Sequence, residues 1–521
     1  MTEFHSLHTL HAKPVAESSS LIATLAKTAG IEFDSKRTIP QERFTGESNH
    51  LLQLSLPHRK ISLLITGLNS LHINTPSGMD LHPLPNHQNS RSQSLAGAAY
   101  QLPRMARLKQ QFQRPQEPDL RQAVFRELAA LHLEKKIAPG QTVAITAGSR
   151  GISGIDVIIK GVVEFIRVLN GIPFIIPAMG SHGGATAEGQ LAVLAGYGIT
   201  PATMGCETRS SMATTVVGET MDGIPIHVDE HALTADHVLV VNRIKPHTGF
   251  VGEIESGLHK MLLIGLGKHL GATVYHQAIV RSSFRKIWQE VAPVVISKAR
   301  VVAGLGIVEN AFDETALIAG VPVEEFAEKE AELLKLAKAY LPRLPFSEID
   351  LLIVDQIGKN ISGTGMDTNI VGRKYNDHAA TPQDDVSIRR IFVRGLTAAT
   401  HGNATGIGIA EFTNHRTVAS IDREITQINC VTASHPTGAM IPASYETDRQ
   451  AIQEALKTIG WVPPHQAKVI QIRDTLHLGE LLVSEAFAPE LARHDQIQQV
   501  TDWEEMEFDQ DDNLRDLLPG E

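Results

Sequence analysis

The amino-acid sequence predicts an α/β protein with two α/β domains, each with a mainly parallel sheet, and an active site in the cleft at the carboxyl ends of the strands. Three observations support this fold class. The chain has 521 residues, which is too long for one ordinary domain. From residue 141 onward, short buried strands alternate with amphipathic helices. A polar loop rich in glycine follows several of these strands.

The composition is that of a globular protein, with 42% hydrophobic and 20% charged residues. The formal net charge of −11 at pH 7 shows no basic surplus, so we expect no nucleic-acid partner. Two cysteines, Cys206 and Cys430, are too few for a disulfide framework. The sequence has neither an apolar run of about 20 residues nor the pattern of a signal peptide, so we expect a cytoplasmic protein without a membrane partner. Homo-oligomerisation is left open.

Five segments follow one another along the chain. Residues 1–104 contain eight of the 24 histidines, many serines and one convincing apolar run, at 55–68. We expect a low-order N-terminal extension; the alternatives are a metal-binding arm and an upstream start with Met105 as the natural one. The other segments are a catalytic and cofactor-binding domain (105–320), a helical connector (321–344), a C-terminal α/β domain (345–499) and an acidic, solvated tail (500–521).

Local patterns predict the elements in chain order. Helical spacing and alternating charge predict a helix over 106–133. Apolar runs bounded by glycine-rich loops predict strands at 142–147, 173–178 and 237–241, with helices over 156–170 and 187–197. Charged residues at helical spacing predict the connector helix at 324–340. The second domain has predicted strands at 349–355 and 390–393 and a helix at 448–459.

Two of the loops each carry one ionisable residue among glycines. In the loop 148–154, Arg150 can bind a carboxylate or a phosphate, although a surface ion pair with Asp156 explains it equally well. In the loop 179–186, His182 stands just before a predicted helix, where the helix dipole favours a neutral imidazole and a nearby anion. The alternative for His182 is a turn histidine that helps to cap the helix.

The third loop, 242–261, is the longest and has seven ionisable residues among its glycines. They are Arg243, Lys245, His247, Glu253, Glu255, His259 and Lys260. A buried lysine in such a loop is a nucleophile or a covalent tether for a cofactor. His247 lies 13 residues before Lys260 and His276 lies 16 residues after it, and both suit acid–base chemistry or metal binding. The alternative is a mobile basic surface loop.

Five motifs therefore stand in a fixed order within residues 141–309. They are Ser149-Arg150, Gly180-Ser-His182, Pro246-His247, Ser256-Gly-Leu-His-Lys260 and His276. In this order the chain resembles the nickel-pincer lactate racemase family, whose members interconvert the stereoisomers of 2-hydroxy acids. Five loops in the right order are more specific than any one of them.

The resemblance implies a nickel pincer nucleotide, a pyridinium bisthiocarboxylate mononucleotide that is attached to Lys260 through a thioamide. Ser256 and Gly257 would belong to the cofactor-binding segment. His276 would complete a roughly square-planar nickel site, a geometry that suits Ni(II). Cofactor-maturation proteins are implied partners.

The resemblance also implies an isomerase, a racemase or epimerase that acts on a small 2-hydroxy acid. In the family, the hydride on C2 passes transiently to the cofactor while two histidines on opposite faces transfer the hydroxyl proton; His182 and His247 fill these places. Arg150 would bind the substrate carboxylate. Lys374, or else Arg373, lies near the place of the family's second carboxylate-binding lysine.

The sequence departs from the family at two positions that bear on the substrate. His182 is followed by two glycines in place of Arg-Pro, and Leu258 replaces a glycine. A 2-hydroxy acid that is larger or more polar than lactate is therefore at least as well supported as lactate. Two other functions stay open on the same fold: a hydrolase or lyase that uses a simple divalent metal ion, and a non-catalytic protein that binds a metallocofactor or a small molecule.

Overall fold

The computed structural model describes residues 101–149, 151–494, 496–516 and 518, together with the backbone of four strands between residues 9 and 74. The chain divides into two compact units, Met1–Gly97 and Ala98–Glu521. In the first unit an antiparallel sheet has the order β1-β4-β3-β2, with β1 (Thr9–His11), β2 (His50–Leu56), β3 (Arg59–Thr66) and β4 (Ser70–Asn74). The β2–β3 hairpin overlaps the apolar run at 55–68, and the expected low-order character of the extension stays a prediction, since most of residues 1–104 lie outside the described residues.

The second unit contains the remaining strands. They are β5 (Met105–Gln110), β6 (Thr142–Ala147), β7 (Ile172–Pro177), β8 (Thr214–Glu219), β9 (Pro225–Asp229), β10 (His237–Arg243), β11 (Val301–Glu309), β12 (Thr315–Pro322), β13 (Glu348–Val354), β14 (Ser387–Val393), β15 (Phe412–Asn414), β16 (Ala443–Tyr445), β17 (Val469–Ile472), β18 (Glu480–Ser484) and β19 (Ile497–Gln499). Strands β8 and β9 form a separate antiparallel pair.

The helices of this unit lie between and around its sheets. They are α1 (Leu120–Ala130), α2 (Ile155–Val168), α3 (Ala187–Gly196), α4 (Pro201–Met204), α5 (Glu230–Thr234), α6 (Leu258–Lys260), α7 (Lys268–Ile279), α8 (Phe284–Lys298), α9 (Phe326–Tyr340), α10 (Thr368–Val371), α11 (His415–Ser420), α12 (Arg423–Thr432), α13 (Asp448–Leu456) and α14 (Ala488–Leu491). A π-helical turn, Met261–Gly265, separates α6 from α7. Among the described residues, no helix has both the length and the apolar character that a membrane span requires.

The first sheet has the order β12-β11-β10-β6-β7, and all of its pairs are parallel except β11–β12. Successive residues of a strand point to opposite faces, and β10 is apolar on both. Val238 and Val240 belong to the core that α7, α8 and α9 cover, and Leu239 and Val241 to the core under α1 and α2. Burial on both faces explains why these strands read as continuous apolar runs in the sequence.

The second sheet has the order β16-β15-β14-β13-β17-β18-β5-β19. Its first five strands run parallel, and β18, β5 and β19 are added in antiparallel orientation. The two sheets together make the fold α/β with mostly parallel strands, as the sequence predicts.

Strand β5 corrects the helix predicted over 106–133, of which only the α1 part is helical. Ala106 and Leu108 are fully buried in the second sheet, between strands β18 and β19 from the other end of the chain. The segment 105–110 therefore belongs to the sheet of the second predicted domain. Its conformation depends on this distant pairing, which overrides local helical spacing.

The acidic tail is packed against the same region, so the expectation that it is simply solvated is wrong. The backbones of Met105 and Glu504 exchange hydrogen bonds, with N···O distances of 2.7 and 2.9 Å. Leu514 is only 6% exposed, and its carbonyl accepts a hydrogen bond from Arg394 Nη2. The tail packs because apolar residues, such as Leu514, alternate with its acidic residues and are buried against the domain.

Candidate active site at the carboxyl ends of the first sheet

Three loops meet where the parallel neighbours β7, β6 and β10 end. These strands are adjacent and parallel, so their carboxyl ends lie at one edge of the sheet. The loops that leave this edge begin at residues 148, 178 and 244, and they contain the predicted histidines of the site. Arg150 lies outside the described residues, and its role as a carboxylate-binding side chain stays a prediction.

His182 connects two of these loops. Its Nδ1 shares a hydrogen bond with the hydroxyl of Ser149, and the Tyr197 hydroxyl donates to the Ser149 carbonyl at 2.8 Å. The imidazole is exposed, so a small molecule can reach it. His182 does not cap the following helix: Thr186 is the N-cap residue of α3, with Oγ1 3.0 Å from the amide nitrogen of Gly189.

A buried polar group supports the His182 loop from behind. Nε2 of Gln190 donates to the carbonyls of Gly180 and His182, at 2.9 and 3.3 Å. Nζ of the fully buried Lys268 lies 3.3 Å from Gln190 Oε1 and 2.8 Å from Asp229 Oδ2. Neither Gln190 nor Lys268 carries a sequence signal that predicts this role, since each is one of several polar residues in its helix.

His247 is held as a neutral imidazole. Burial lowers its pKa well below the ordinary value of 6.5, and the positive charges of Lys260, His276, Lys374 and Lys245 act in the same direction. The ring stacks on Phe250 at 3.6 Å, and its Nδ1 accepts the amide hydrogen of Gly249 at 2.9 Å. Because Nδ1 is an acceptor, the proton of the neutral ring is on Nε2.

Lys260 and His276 lie in the same region as His247. The charge of Lys260 lowers the pKa of both histidines, and burial together with this charge lowers the pKa of His276 to about 4. Lys260 ends α6 and His276 lies in the last turn of α7, on either side of the π-helical turn. A neutral imidazole is the form that binds a metal ion, so His276 is a competent nitrogen ligand at neutral pH.

Lys374 reaches this region from the loop that follows β13 in the second sheet. Its Nζ lies 2.8 Å from Glu255 Oε2 and 2.7 Å from Asn369 Oδ1, and burial lowers its pKa. Glu255 is fully buried and also accepts from Lys338 Nζ at 2.6 Å and from the amide of His247 at 2.7 Å. This carboxylate therefore joins the His247 loop to the lysine of the second sheet. In the sequence, Glu255 is marked as a candidate because it is one of the ionisable residues interleaved with glycines in the loop 242–261.

Ser256 and Gly257 have backbone roles in the segment before Lys260. The amide of Lys245 donates to the Ser256 carbonyl at 2.9 Å, which closes the base of the loop. A Cβ at position 257 would overlap Oε1 of Glu330, so this buried carboxylate would have to move to make room for any larger residue. Glu330 is itself buried and lies 2.7 Å from Nδ1 of His259. His259 is therefore part of the support of the loop and is 3% exposed.

Among the described residues, no three or more His, Cys, Asp and Glu side chains are grouped so that they could hold a metal ion.

The fold and the loops define an α/β protein whose reactive side chains gather at the ends of parallel strands, as in small-molecule enzymes. Residues 104–287, about a third of the chain, match the lactate racemase N-terminal domain family. This segment is therefore similar to the N-terminal domain of lactate racemases. A search of the curated proteins gives no match.

Two solved structures are distantly similar to the chain. One is the lactate racemase apoprotein from Thermoanaerobacterium thermosaccharolyticum, with 14% identity and a TM-score of 0.43 over 69% of this chain and 92% of that one. The other is a structural-genomics protein from Thermotoga maritima, with 13% identity and a TM-score of 0.43 over 62% of this chain and 84% of that one. The likeness to lactate racemases rests on the domain match at residues 104–287.

Proposed function

We propose that the protein is a lactate racemase-like isomerase that inverts C2 of a small 2-hydroxy acid with a nickel pincer nucleotide attached to Lys260. The observation that supports this most directly is the grouping of Lys260 with His247 and His276, two histidines whose pKa values are lowered. An amine beside two neutral imidazoles offers a tether, a metal ligand and a proton-transfer group within one region.

The residues present fit the pincer. Lys260 would hold it covalently, and the neutral His276 would supply one nitrogen to the nickel, the other donors coming from the cofactor itself. When bound, the group supplies a hydride acceptor and a metal ion. Ser256 and Gly257 keep the backbone before Lys260 in place through the pairing with Lys245 and the contact with Glu330.

The two proposed catalytic histidines come from different loops, and each would present Nε2 to the substrate, protonated in His247 and unprotonated in His182. His247, with Nδ1 occupied by Gly249, offers its Nε2–H as a donor to the substrate oxygen. His182 can donate Nδ1–H to the Ser149 hydroxyl, and in that tautomer its Nε2 is the nitrogen that can accept the hydroxyl proton. Lys374, and Arg150 as predicted, would bind the substrate carboxylate.

The test is the intact mass and the nickel content of the protein when it is produced together with cofactor-maturation proteins. We expect a mass increment that maps to Lys260, with stoichiometric nickel, and the interconversion of the stereoisomers of one acid in a panel of 2-hydroxy acids. Lys260→Ala should lose both the increment and the nickel. His276→Ala should keep the increment and lose nickel. Lys245→Ala, in the same loop, is the matched control and should keep both.

Two results would contradict this proposal. One is an unmodified Lys260 without nickel in a preparation in which a known lactate racemase is loaded. The other is a Lys260→Ala variant that still retains the complete cofactor.

A further inference from the structure

A cavity lined by charged residues, most of them basic, lies at one end of the second sheet. The cavity has a volume of about 470 Å³ and lies at the amino ends of β13 and β14. Its charged lining residues include Glu348, Asp350, Arg373, Arg389, Arg390 and Lys468. None of these side chains takes part in the candidate active site. A volume of this size accommodates a small metabolite.

Arg373 is the residue of this cavity that calls for a ligand. The side chain is 1% exposed, and Nη2 lies 3.1 Å from Glu411 Oε1. Nε and Nη1 are buried and have no hydrogen-bond partner among the described residues. Buried donors of a guanidinium are costly when no acceptor takes them, so the arrangement favours an acceptor inside the cavity.

The charges around the cavity favour an anionic acceptor. Burial lowers the pKa of Arg373, and the positive charge of Arg390 acts in the same direction, so the two guanidinium groups influence each other. Arg390 donates to the neutral oxygens of Thr458, at 2.9 and 3.1 Å. An anion between the two guanidinium groups would relieve their repulsion and accept hydrogen bonds from Nε and Nη1 of Arg373.

The backbone makes this cavity distinct from the candidate active site. Gly372 has a φ of +62°, and a Cβ there would overlap the Val386 carbonyl, so the turn before Arg373 requires glycine. The amide of Arg373 donates to the Thr368 carbonyl at 3.1 Å. The next residue, Lys374, extends to Glu255 at 2.8 Å. The adjacent residues Arg373 and Lys374 therefore point to different sites, Arg373 to the cavity and Lys374 to the candidate active site.

We propose that this cavity is a second anion-binding site, in which Arg373 and Arg390 bind the phosphate or carboxylate group of a small molecule. The proposal does not depend on the proposed racemase activity, because it uses no residue of that site.

The test is calorimetric titration of the full chain with inorganic phosphate and, separately, with citrate, at constant ionic strength set by chloride. We expect saturable binding of one or both anions to the wild type. Arg390→Gln and Arg373→Met should each weaken it by about tenfold or more, because each removes charged hydrogen bonds. Lys457→Met is the control, since Lys457 is an exposed lysine just after α13 that pairs with Glu454, and it should leave the binding unchanged.

The possible results separate clearly. Binding of phosphate alone identifies a phosphate group as the ligand chemistry, and binding of citrate alone identifies a carboxylate; competition between them identifies a shared site. If Arg373→Met fails to fold because Glu411 loses its partner, Arg390→Gln decides. Binding that survives Arg390→Gln overturns the proposal, and its loss in Lys374→Met, a variant of the candidate active site, then assigns the anion to that site. The absence of saturable binding to the wild type also overturns it.

Discussion

Glu255 shows how a single buried charge positions a functional side chain. It is fully buried, and it accepts from Lys338 on α9 and from Lys374 in the second sheet's loop. A carboxylate buried between two ammonium groups is stable only while its partners stay in place. The position of Lys374 beside the candidate site therefore depends on a residue that is not itself proposed to touch substrate.

We expect Glu255→Gln to destabilise the protein by about 3–5 kcal/mol, because it leaves the buried Lys374 without its countercharge. Equilibrium unfolding by denaturant measures the change. Glu253→Gln is the matched control in the same loop, since Glu253 is 68% exposed and pairs with Arg285 at 3.4 Å. Loss of such a surface pair changes stability by less than about 1 kcal/mol. Equal effects of the two variants would contradict the role given to Glu255.

Gly257 gives a second prediction at this scale. Gly257→Ala would force Cβ against Oε1 of Glu330, and overpacking of this kind costs about 1–3 kcal/mol. The control is Gly196→Ala at the end of α3, where a Cβ meets nothing within 4 Å. That variant should be neutral or up to about 1 kcal/mol more stable, because alanine favours helix. Thermal unfolding of both variants tests the pair, and a neutral Gly257→Ala would show that the segment has room.

At the scale of elements, the sequence predicts the strands and helices whose formation depends on local hydrophobic pattern. The predicted strand 142–147 is β6, and 173–178 differs from β7 by one residue, because a strand buried on both faces is a continuous apolar run. The loops with His182 and His247 follow β7 and the predicted strand β10, whereas Lys260 and His276 lie in the helices α6 and α7.

Contacts between distant residues could not be predicted in the same way. Lys374 and Glu255 are 119 residues apart, and Gln190 and Lys268 are 78 residues apart. The sequence singles out Lys374 and Glu255 but not the contact between them. Gln190 and Lys268 look like ordinary polar residues until the fold brings them together. Strand β5 has the same origin, since its hydrogen bonds go to β18 and β19.

The buried pair Lys268–Asp229 supplies a prediction about how elements are joined. Lys268 begins α7, and Asp229 ends β9 and caps α5. Both side chains are 0% exposed. Lys268→Met should cost about 3–5 kcal/mol, because it leaves the charge of Asp229 buried and unpaired. In the double variant with Asp229→Asn the loss should be smaller than the sum of the single losses by about 1–3 kcal/mol. Denaturant unfolding of the four proteins closes the cycle, and strict additivity would show that the two charges do not interact.

At the scale of the whole molecule, two pairs of histidines make the stability of the protein depend on pH in opposite directions. Burial lowers the pKa of His247 and of His276 near the first sheet. Hydrogen bonds to Asp377 and Asp474 raise the pKa of His435 and of His477 in the second. When folding lowers the pKa of a histidine, the unfolded chain binds more protons than the folded chain. The free energy of unfolding therefore decreases as the pH is lowered below about 6.5. A raised pKa means that the folded chain holds the proton more tightly, so this stabilisation is present below about 6.5 and is lost as pH rises through the folded pKa.

Two single variants separate these contributions in the protein without cofactor. His276 has a pKa of about 4, so acidification from pH 7 to pH 5 should destabilise the wild type relative to His276→Gln by about 2 kcal/mol. Over the same range His435→Gln should become less stable relative to the wild type, since it lacks the charged hydrogen bond to Asp377, 2.5 Å away in the folded chain. The measurement is the free energy of unfolding of the three proteins at pH 5, 6 and 7. Parallel pH profiles for all three would show that neither histidine changes its pKa on folding, whereas divergence in opposite directions would locate the acid sensitivity of the protein at the candidate active site.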